Sequence, residues 1–409
     1  MGDYILNIID WLLWITMAAS TLYILIFAIA SLLPRRKSQH ATPGSSPRSS
    51  FLVLFPAYHE DAVIIHSVET FLQQDYPSQL YQVAVISDHM QPATNKQLAA
   101  LPIRLLTPSF EKSSKAKALQ HAINEVEKAD LRFDYVVILD ADNVVNSDFL
   151  PRLNSVCQAG HQAIQCHRTA KNSNNGIAVL DGVSEEINNS LFRKGHSRLG
   201  LSAGLIGSGM CFSNDWFRQN VNELNSAVED RELEALLLRQ GVHIHYAEDI
   251  DVFDEKVSSS DNFQRQRQRW ITGQIQSLFL MLPQLPKAMF HGNINYIDKT
   301  IQQALIPRSL LLLFTLPIAV LATALAIFSP ITSHLSPLTS HPSPLRWWLL
   351  FAAQCLAIFL AIPSSLRLQV LRHAQQAPHM AWLMAKSLLR IRLSDKEFHH
   401  TTHTIANSQ

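Results

Sequence analysis

The sequence predicts an α/β protein: a mixed, mostly parallel sheet with helices on both faces, and transmembrane helices at both ends. Three observations lead there. From residue 51 onward, short apolar runs alternate with amphipathic stretches, the pattern of strands joined by crossover helices. One run, Tyr135-Val136-Val137-Ile138-Leu139, is apolar on both faces and leads straight into Asp140 and Asp142. A strand covered by helices on each side reads this way. Three further stretches are long and apolar enough to cross a bilayer, which takes about 20 helical residues.

The first span, Ile5 to Leu33, is almost continuously apolar, with Asp10 near its start. Asp3 precedes it and Arg35, Arg36 and Lys37 follow, so the positive-inside rule puts the chain after it in the cytosol. A signal peptide would have the opposite polarity and a shorter apolar region. Residues 35–50 form a linker rich in Ser, Pro, Gly and Thr. Strands are expected at Phe51–Pro56, Val83–Ser87, Ile103–Thr107 and Val136–Leu139, with helices over 61–74, 113–128 and 147–158. Ala163–Arg168, Gly204–Ser213 and Val242–Ala247 read as later strands and 177–194 as another helix, within a catalytic domain spanning 51–260. Residues 261–300 hold a Gln/Arg/Trp segment and helices suited to lie along a membrane interface. A two-span hairpin occupies 301–370, with spans at Leu305–Phe328 and Trp347–Leu366; Trp347 and Trp348 sit where an interfacial belt would. The connector 329–345 has no Lys or Arg, whereas Arg367, Arg372, Lys386, Arg390 and Arg392 follow the last span, the final four in a basic tail over 371–409. Both charge asymmetries place 36–300 in the cytosol and the connector outside.

Composition narrows the function. Of 409 residues, 47% are hydrophobic and 16% charged, against about 25% charged in an average soluble domain. A formal net charge of +1 gives a nucleic-acid partner no global electrostatic support. Cys157, Cys166, Cys211 and Cys355 show no C-x-x-C spacing and read as reduced thiols of a cytosolic and membrane protein.

The chemistry-bearing residues stand at strand and helix ends. Asp140 and Asp142 put two hard oxygen ligands at the carboxyl edge of a sheet, where open α/β sheets bind ligands. Such a pair suits Mg²⁺ or Mn²⁺ carrying a substrate diphosphate. Pro56, Tyr58 and Glu60 close the first strand in a polar turn, and Asp88 ends the second. Glu60 and Asp88 read as contacts to the base and ribose of a nucleotide, or equally as helix caps. Lys115 opens a helix, as a diphosphate contact or a solvated lysine. Ser226-Ala227-Val228-Glu229 fits a capping box, which places Asp230 in a first helical turn, where the helix dipole favours the ionised carboxylate. That suits a general base for a sugar hydroxyl, though acids are common there as plain dipole complements. Gln266, Arg269 and Trp270 combine a phosphate-matching fork with a flat ring.

Taken in order, these residues resemble the family 2 glycosyltransferases, specifically the membrane-embedded branch of cellulose, hyaluronan and poly-N-acetylglucosamine synthases. That branch carries P-x-x-N/H-E, a strand-end Asp, a GKxxAL-like lysine, D-x-D, an E-D pair and Q-x-x-R-W. Here they stand as Pro56 to Glu60, Asp88, Lys115, Asp140/Asp142, Glu229-Asp230 and Gln266/Arg269/Trp270, over roughly residues 50–290. The segment Gly207-Ser208-Gly209-Met210 is similar to the family's glycine-rich acceptor side. His89 replaces a frequent second acid, Ser114 replaces the glycine before the lysine, and three spans are fewer than those synthases use.

The resemblance implies a GT-A fold and a hexosyl- or N-acetylhexosaminyltransferase of the plasma (cell inner) membrane, multi-pass, with its catalytic domain cytosolic. Glu60 and Asp88 would hold uridine, with Pro56 and Tyr58 beside them. Lys115 would contact the diphosphate, and Asp140 and Asp142 the sugar-diphosphate and its Mg or Mn. Asp230 would be the base, with Gln266, Arg269 and Trp270 closing over donor and acceptor. Gly207, Ser208, Gly209 and Glu229 would face the acceptor. Expected partners are a UDP-sugar, a polysaccharide or lipid acceptor and membrane lipid, with homo-oligomers as one way to complete a polymer channel. The alternative is a catalytically inactive membrane scaffold of the same fold, which would lack the acids or the Q-x-x-R-W set.

Overall fold

The computed structural model describes residues 2–35, 47–172, 175–226, 228–257, 259–332 and 343–388. Most of the predicted linker, the connector between the last two spans and the end of the tail lie outside these residues.

Eight strands form one sheet: β1 (Phe51–Tyr58), β2 (Tyr81–Asp88), β3 (Arg104–Leu106), β4 (Tyr135–Ile138), β5 (Val144–Val145), β6 (Ala163–Ala170), β7 (Met210–Ser213) and β8 (Ile244–Asp254). Their order is β3-β2-β1-β4-β7-β6-β8-β5. The first four run parallel; β7 is antiparallel to both β4 and β6, β8 is parallel to β6, and β5 is antiparallel to β8. The expected mixed, mostly parallel sheet is present. Its strand alternation divides the core: Leu52, Leu54, Val136 and Ile138 pack on one face with Leu119, Ile123, Leu233 and Leu237 of helices Lys115–Lys128 and Glu229–Arg239. Phe51, Val53, Phe55 and Val137 pack on the other with Val68, Phe71, Leu150 and Leu153 of helices Ile64–Phe71 and Phe149–Cys157. Helices cover both faces because every strand residue sends its side chain opposite to its neighbour's.

Three helices are long and apolar enough to cross a membrane, with qualifying stretches Asn7–Ser31, Arg308–Ile327 and Pro344–Ala361. They pack through Ile24, Phe27, Leu311, Trp347 and Leu350 against Val183, Ile187 and Leu191. Helix Gly176–Asn189 and the wide π-helical turn Ser190–Gly195 that follows it thus join the sheet to the spans. A Cβ on Gly195 would lie 2.4 Å from the Phe27 carbonyl oxygen, so only glycine admits the first span this closely. At the end of that span, Arg198 donates to the Leu33 carbonyl (2.9 Å) and to both Glu248 oxygens (2.8 Å each).

Several expectations shift. Trp347, expected in an interfacial belt, is fully buried within the protein and donates from Nε1 to Asp10 Oδ1 at 3.1 Å, beside the Asp10–Arg346 ion pair. A buried acid draws the nearest donors. Trp348 is 39% exposed and donates from Nε1 to Thr323 Oγ1 at 2.9 Å. Strand β7 starts at Met210 rather than Gly204, since Gly207 and Gly209 have φ of +81° and +64°, outside strand conformation. Strand β8 runs on to Asp254, past the expected Ala247, β5 had no expectation, and helix Ile294–Ala304 extends past the end, at residue 300, of the segment expected to hold interface helices. All four cysteines are free, three of them buried.

Candidate active site

Parallel register brings the strand-end acids together. Tyr58 pairs with Asp88 and Leu54 with Ile138, so Glu60, Asp88, Asp140 and Asp142 come to one edge of the sheet. They open onto a cavity of about 580 Å³ that also takes in Pro56, Tyr58, Lys115, Gly207, Glu229, Asp230, Gln266, Arg269 and Trp270. Seven separate segments of chain therefore converge there. Both turns that follow β1 and β2 pass through left-handed backbone at His59 and His89 (φ 54° and 55°). His89 Nδ1 lies 2.6 Å from Asp88 Oδ1, so the residue replacing the frequent second acid binds the first.

Lys115 is the electrostatic centre. Ser114 caps its helix, accepting from the Lys117 amide at 3.2 Å. The Lys115 ammonium donates to Asp140 Oδ1 and to the Gly207 carbonyl (2.6 Å), and lies 3.5 Å from Glu229 Oε1. Burial alone would lower its pKa, but Asp140 and Glu229 outweigh burial and raise it above the ordinary lysine value. For Asp140, burial pushes upward, while Lys115 and Arg168 prevail and hold the carboxyl below its ordinary range. Glu229 goes the other way: burial, with the neighbouring Asp230 charge, overcomes Lys115 and pushes it up to about 7.

The helix carrying these two acids begins differently from the capping-box expectation. It starts at Glu229, and Val228 precedes it without a side-chain cap. Ser226 Oγ accepts instead from the Val228 amide (3.2 Å), and the backward-reaching carboxylate is Glu232, which accepts from the Asn225 and Ser226 amides (2.9 Å each). Glu229 is thereby released from capping and turns to Lys115. Asp230 still lies in the first turn, its Oδ1 accepting from the Arg231 amide at 2.9 Å. A Cβ on Gly207 would stand 3.7 Å from Asp230 Oδ2 and 3.9 Å from Lys115 Nζ, so a larger residue would intrude on the space the acids face.

Ser208 and Gly209, expected on the acceptor side, are not among the cavity's lining. Ser208 is buried; its Oγ donates to Asn143 Oδ1 and accepts from the Asp140 amide (3.3 Å), bracing the turn that carries the two aspartates. Gly209 backs onto Val252 and Cys166. Gln266, Arg269 and Trp270 lie at i, i+3 and i+4 of helix Ser260–Met281 and so share a face.

Three contributors, Arg168, Glu255 and Asp181, escaped sequence reasoning. Arg168, on β6, lines the cavity and donates to Asp254. The Glu255 amide donates to Asp142 Oδ2 at 3.0 Å. Arg267 pairs with Asp181, both buried, and stacks over the Trp270 ring at 4.2 Å. Arg267 stood in the visible Gln/Arg alternation, but nothing local marked Asp181 as its partner.

The donor set fits a hard divalent cation. Asp140 and Asp142 supply carboxylate oxygens at one turn, and no group of three or more His, Cys, Asp or Glu ligands occurs among the described residues. Two carboxylates, with the remaining positions left to substrate phosphates and water, is the usual arrangement for Mg²⁺-like ions.

A family model described as glycosyltransferase-like family 2 matches residues 47–273. No curated protein matches the sequence. Among solved structures, the mannosyltransferase PcManGT from Pyrobaculum calidifontis, in complex with GDP-Man and Mn²⁺, aligns at 16% identity and a TM-score of 0.56. That alignment covers 96% of this chain and 100% of the other, and the likeness is one of fold. S. aureus TarS 1–349 aligns at 13% identity and a TM-score of 0.41, covering 83% and 88% of the two chains. Glucosyl-3-phosphoglycerate synthase from Mycobacterium tuberculosis aligns at 19% identity and a TM-score of 0.34, covering 48% and 68%.

Proposed function

The chain belongs to glycosyltransferase-like family 2, and from that premise we propose an inverting, metal-dependent membrane enzyme that moves a sugar from a UDP-sugar to a hydroxyl of a polysaccharide or lipid-linked acceptor. One observation carries this reading. The strand-end acids, Lys115, the Glu229-Asp230 pair and the Gln266/Arg269/Trp270 face come from distant parts of the chain and line a single cavity.

In this reading Glu60 and Asp88 hold the nucleoside, and Arg269 and Trp270 close over the diphosphate and the acceptor. Asp230 takes the proton of the acceptor hydroxyl as its oxygen attacks the anomeric carbon. The bond from that carbon to the diphosphate oxygen breaks, with inversion, and the nucleoside diphosphate leaves. Lys115 keeps Asp140 and Glu229 together so that the acids stay aimed at the cavity. A divalent metal held by Asp140 and Asp142 would neutralise charge on the departing diphosphate. In this reading the enzyme sits in the plasma membrane with its catalytic domain in the cytosol, which three helices long and apolar enough to cross a membrane and the basic flanks of the spans support.

Measuring UDP affinity and turnover on full-length Asp230→Asn and Asp142→Asn proteins tests the assignment. Asp230→Asn should lose about 10²–10⁴-fold in turnover, the range for a missing general base, while binding UDP nearly as before. Asp142→Asn should weaken metal-dependent UDP binding itself. An active Asp230→Asn protein, or full turnover in excess EDTA, would sink the corresponding role.

A further inference from the structure

The cavity does not end at the acids. It continues among the last two membrane-crossing helices and the tail helices Arg367–His373 and Ala377–Leu388, where Leu312, Ile358, Ile362, Val370, Met380 and Met384 line it. At the junction of its polar and apolar parts stands Arg308, first residue of helix Arg308–Thr332. Its guanidinium donates to Asn188 Oδ1, to the Ser184 carbonyl (2.8 Å) and to Ser184 Oγ (2.6 Å). All three acceptors are neutral.

Four other arginines around the cavity differ. Arg168 pairs with Asp254, Arg193 with Glu185 and Arg267 with Asp181, while Arg231 lies 3.9 Å from Glu234. Arg308 has no carboxylate within ion-pair distance among the described residues. A cation at the mouth of an apolar channel, left with neutral partners, is completed by an anionic group that enters with an apolar chain attached. Guanidinium forks match phosphate oxygens in pairs, and a phosphate at this depth keeps its charge compensated while the attached chain stays out of water.

Resting on the transferase reading of the same cavity, we propose that the acceptor is a lipid whose head carries a phosphate. Arg308 holds the phosphate, the apolar chain lies among Leu312, Ile358 and Met384, and the sugar hydroxyl to be glycosylated projects beyond the phosphate toward Asp230. The phosphate takes no part in bond making. The path between the two is continuous: Arg231, next to Asp230, reaches Gln303 Oε1 at 3.5 Å, and Gln302 and Gln303 line the cavity on the way to Arg308.

The test is equilibrium binding of lipid probes to the full-length protein in neutral detergent, read by native mass spectrometry. The probes are a polyprenyl phosphate and a phosphatidic acid, each against its neutral counterpart, polyprenol or diacylglycerol. At least one phosphate lipid should bind about tenfold or more tightly than its neutral counterpart, the scale of one charge-assisted hydrogen bond. Arg308→Gln should remove that preference, and Arg308→Lys should keep part of it. Preference for the polyprenyl phosphate alone identifies an isoprenoid carrier; preference for phosphatidic acid alone identifies a glycerolipid. Equal binding of charged and neutral probes to the unaltered protein, or a preference that survives Arg308→Gln, overturns the proposal. UDP binding is followed in the same samples: its absence from the unaltered protein would sink the transferase reading and leave the lipid result standing separately.

Discussion

On the β3-β2-β1-β4 side of the sheet, the cavity's acids follow directly from strand ends: Asp88 closes β2, Glu60 lies just past β1, and Asp140 and Asp142 just past β4. On the β7-β6-β8-β5 side the cavity is built from pieces that depart from the strands. Gly207 precedes β7, Glu229 and Asp230 open a helix, and Gln266, Arg269 and Trp270 ride another. The first side is held by parallel register and local caps. The second is held by long-range contacts such as Asp181–Arg267, 86 residues apart, and the Glu255 amide to Asp142, 113 residues apart. The first half is thus set by strand pairing, and the second depends on a few long-range braces.

If that division is right, cutting a long-range brace should cost most. Asp181→Ala leaves the Arg267 guanidinium buried with its carboxylate gone. Breaking a buried pair from one side typically costs about 3–5 kcal/mol, seen as a large fall in Tm of the full-length protein. Trp270, over which Arg267 stacks, should lose its fixed position, so acceptor KM should rise more than UDP affinity falls. A Tm within a degree of the unaltered protein would remove Asp181 from the bracing role.

An intermediate effect should appear at the seam between the halves. The folded Glu229 carboxyl titrates at about 7, above its ordinary value of 4.5. Between those values the folded chain holds a proton that the unfolded chain has lost, so this group's contribution to stability falls as pH rises through about 7. Ionised Glu229 also puts a carboxylate charge beside the Asp230 base and completes its pairing with Lys115. kcat/KM should therefore rise with pH and level off above about 7, with a slope of up to about tenfold per unit below it. Glu229→Gln should abolish that inflection. A variant that keeps it would assign the titration to another group.

The same division explains what could be read from the chain before its fold was known. Val136–Leu139 running into Asp140, and the 30-residue step from Tyr58 to Asp88, are local patterns set by strand period and strand ends. They placed the parallel half and its acids correctly. Strand β5, two residues long, and the extension of β8 to Asp254 carry no local period, because their pairing across the sheet creates them. Ser226 shows the limit at a helix start: its spacing to Glu229 fits a capping box, yet Glu232 does the capping and Glu229 serves Lys115. Trp347 carried the signature of an interfacial residue, and nothing local showed that its Nε1 meets Asp10, 337 residues away. Tertiary partners of this kind leave no trace in a local window.

The smallest expected effect lies on the parallel side, at Ser114. Its backbone is extended and its Oγ accepts from the Lys117 amide at 3.2 Å, closing one of the orphan donors at the start of helix Lys115–Lys128. Ser114→Ala should cost about 1 kcal/mol, the usual worth of a serine cap. Ser114→Gly, the residue more usual at this position in the resembling synthases, should cost only a few tenths, since glycine is itself an acceptable N-cap. Lys115 is held from the far side by Asp140 and Gly207, so neither variant should move UDP affinity by more than about twofold. Thermal unfolding beside UDP titration checks both at once. A loss of UDP affinity in Ser114→Ala that matched the loss in Asp142→Asn would show that the cap, a local feature, also governs the long-range charge cluster, and the division between the two halves would fail at that point.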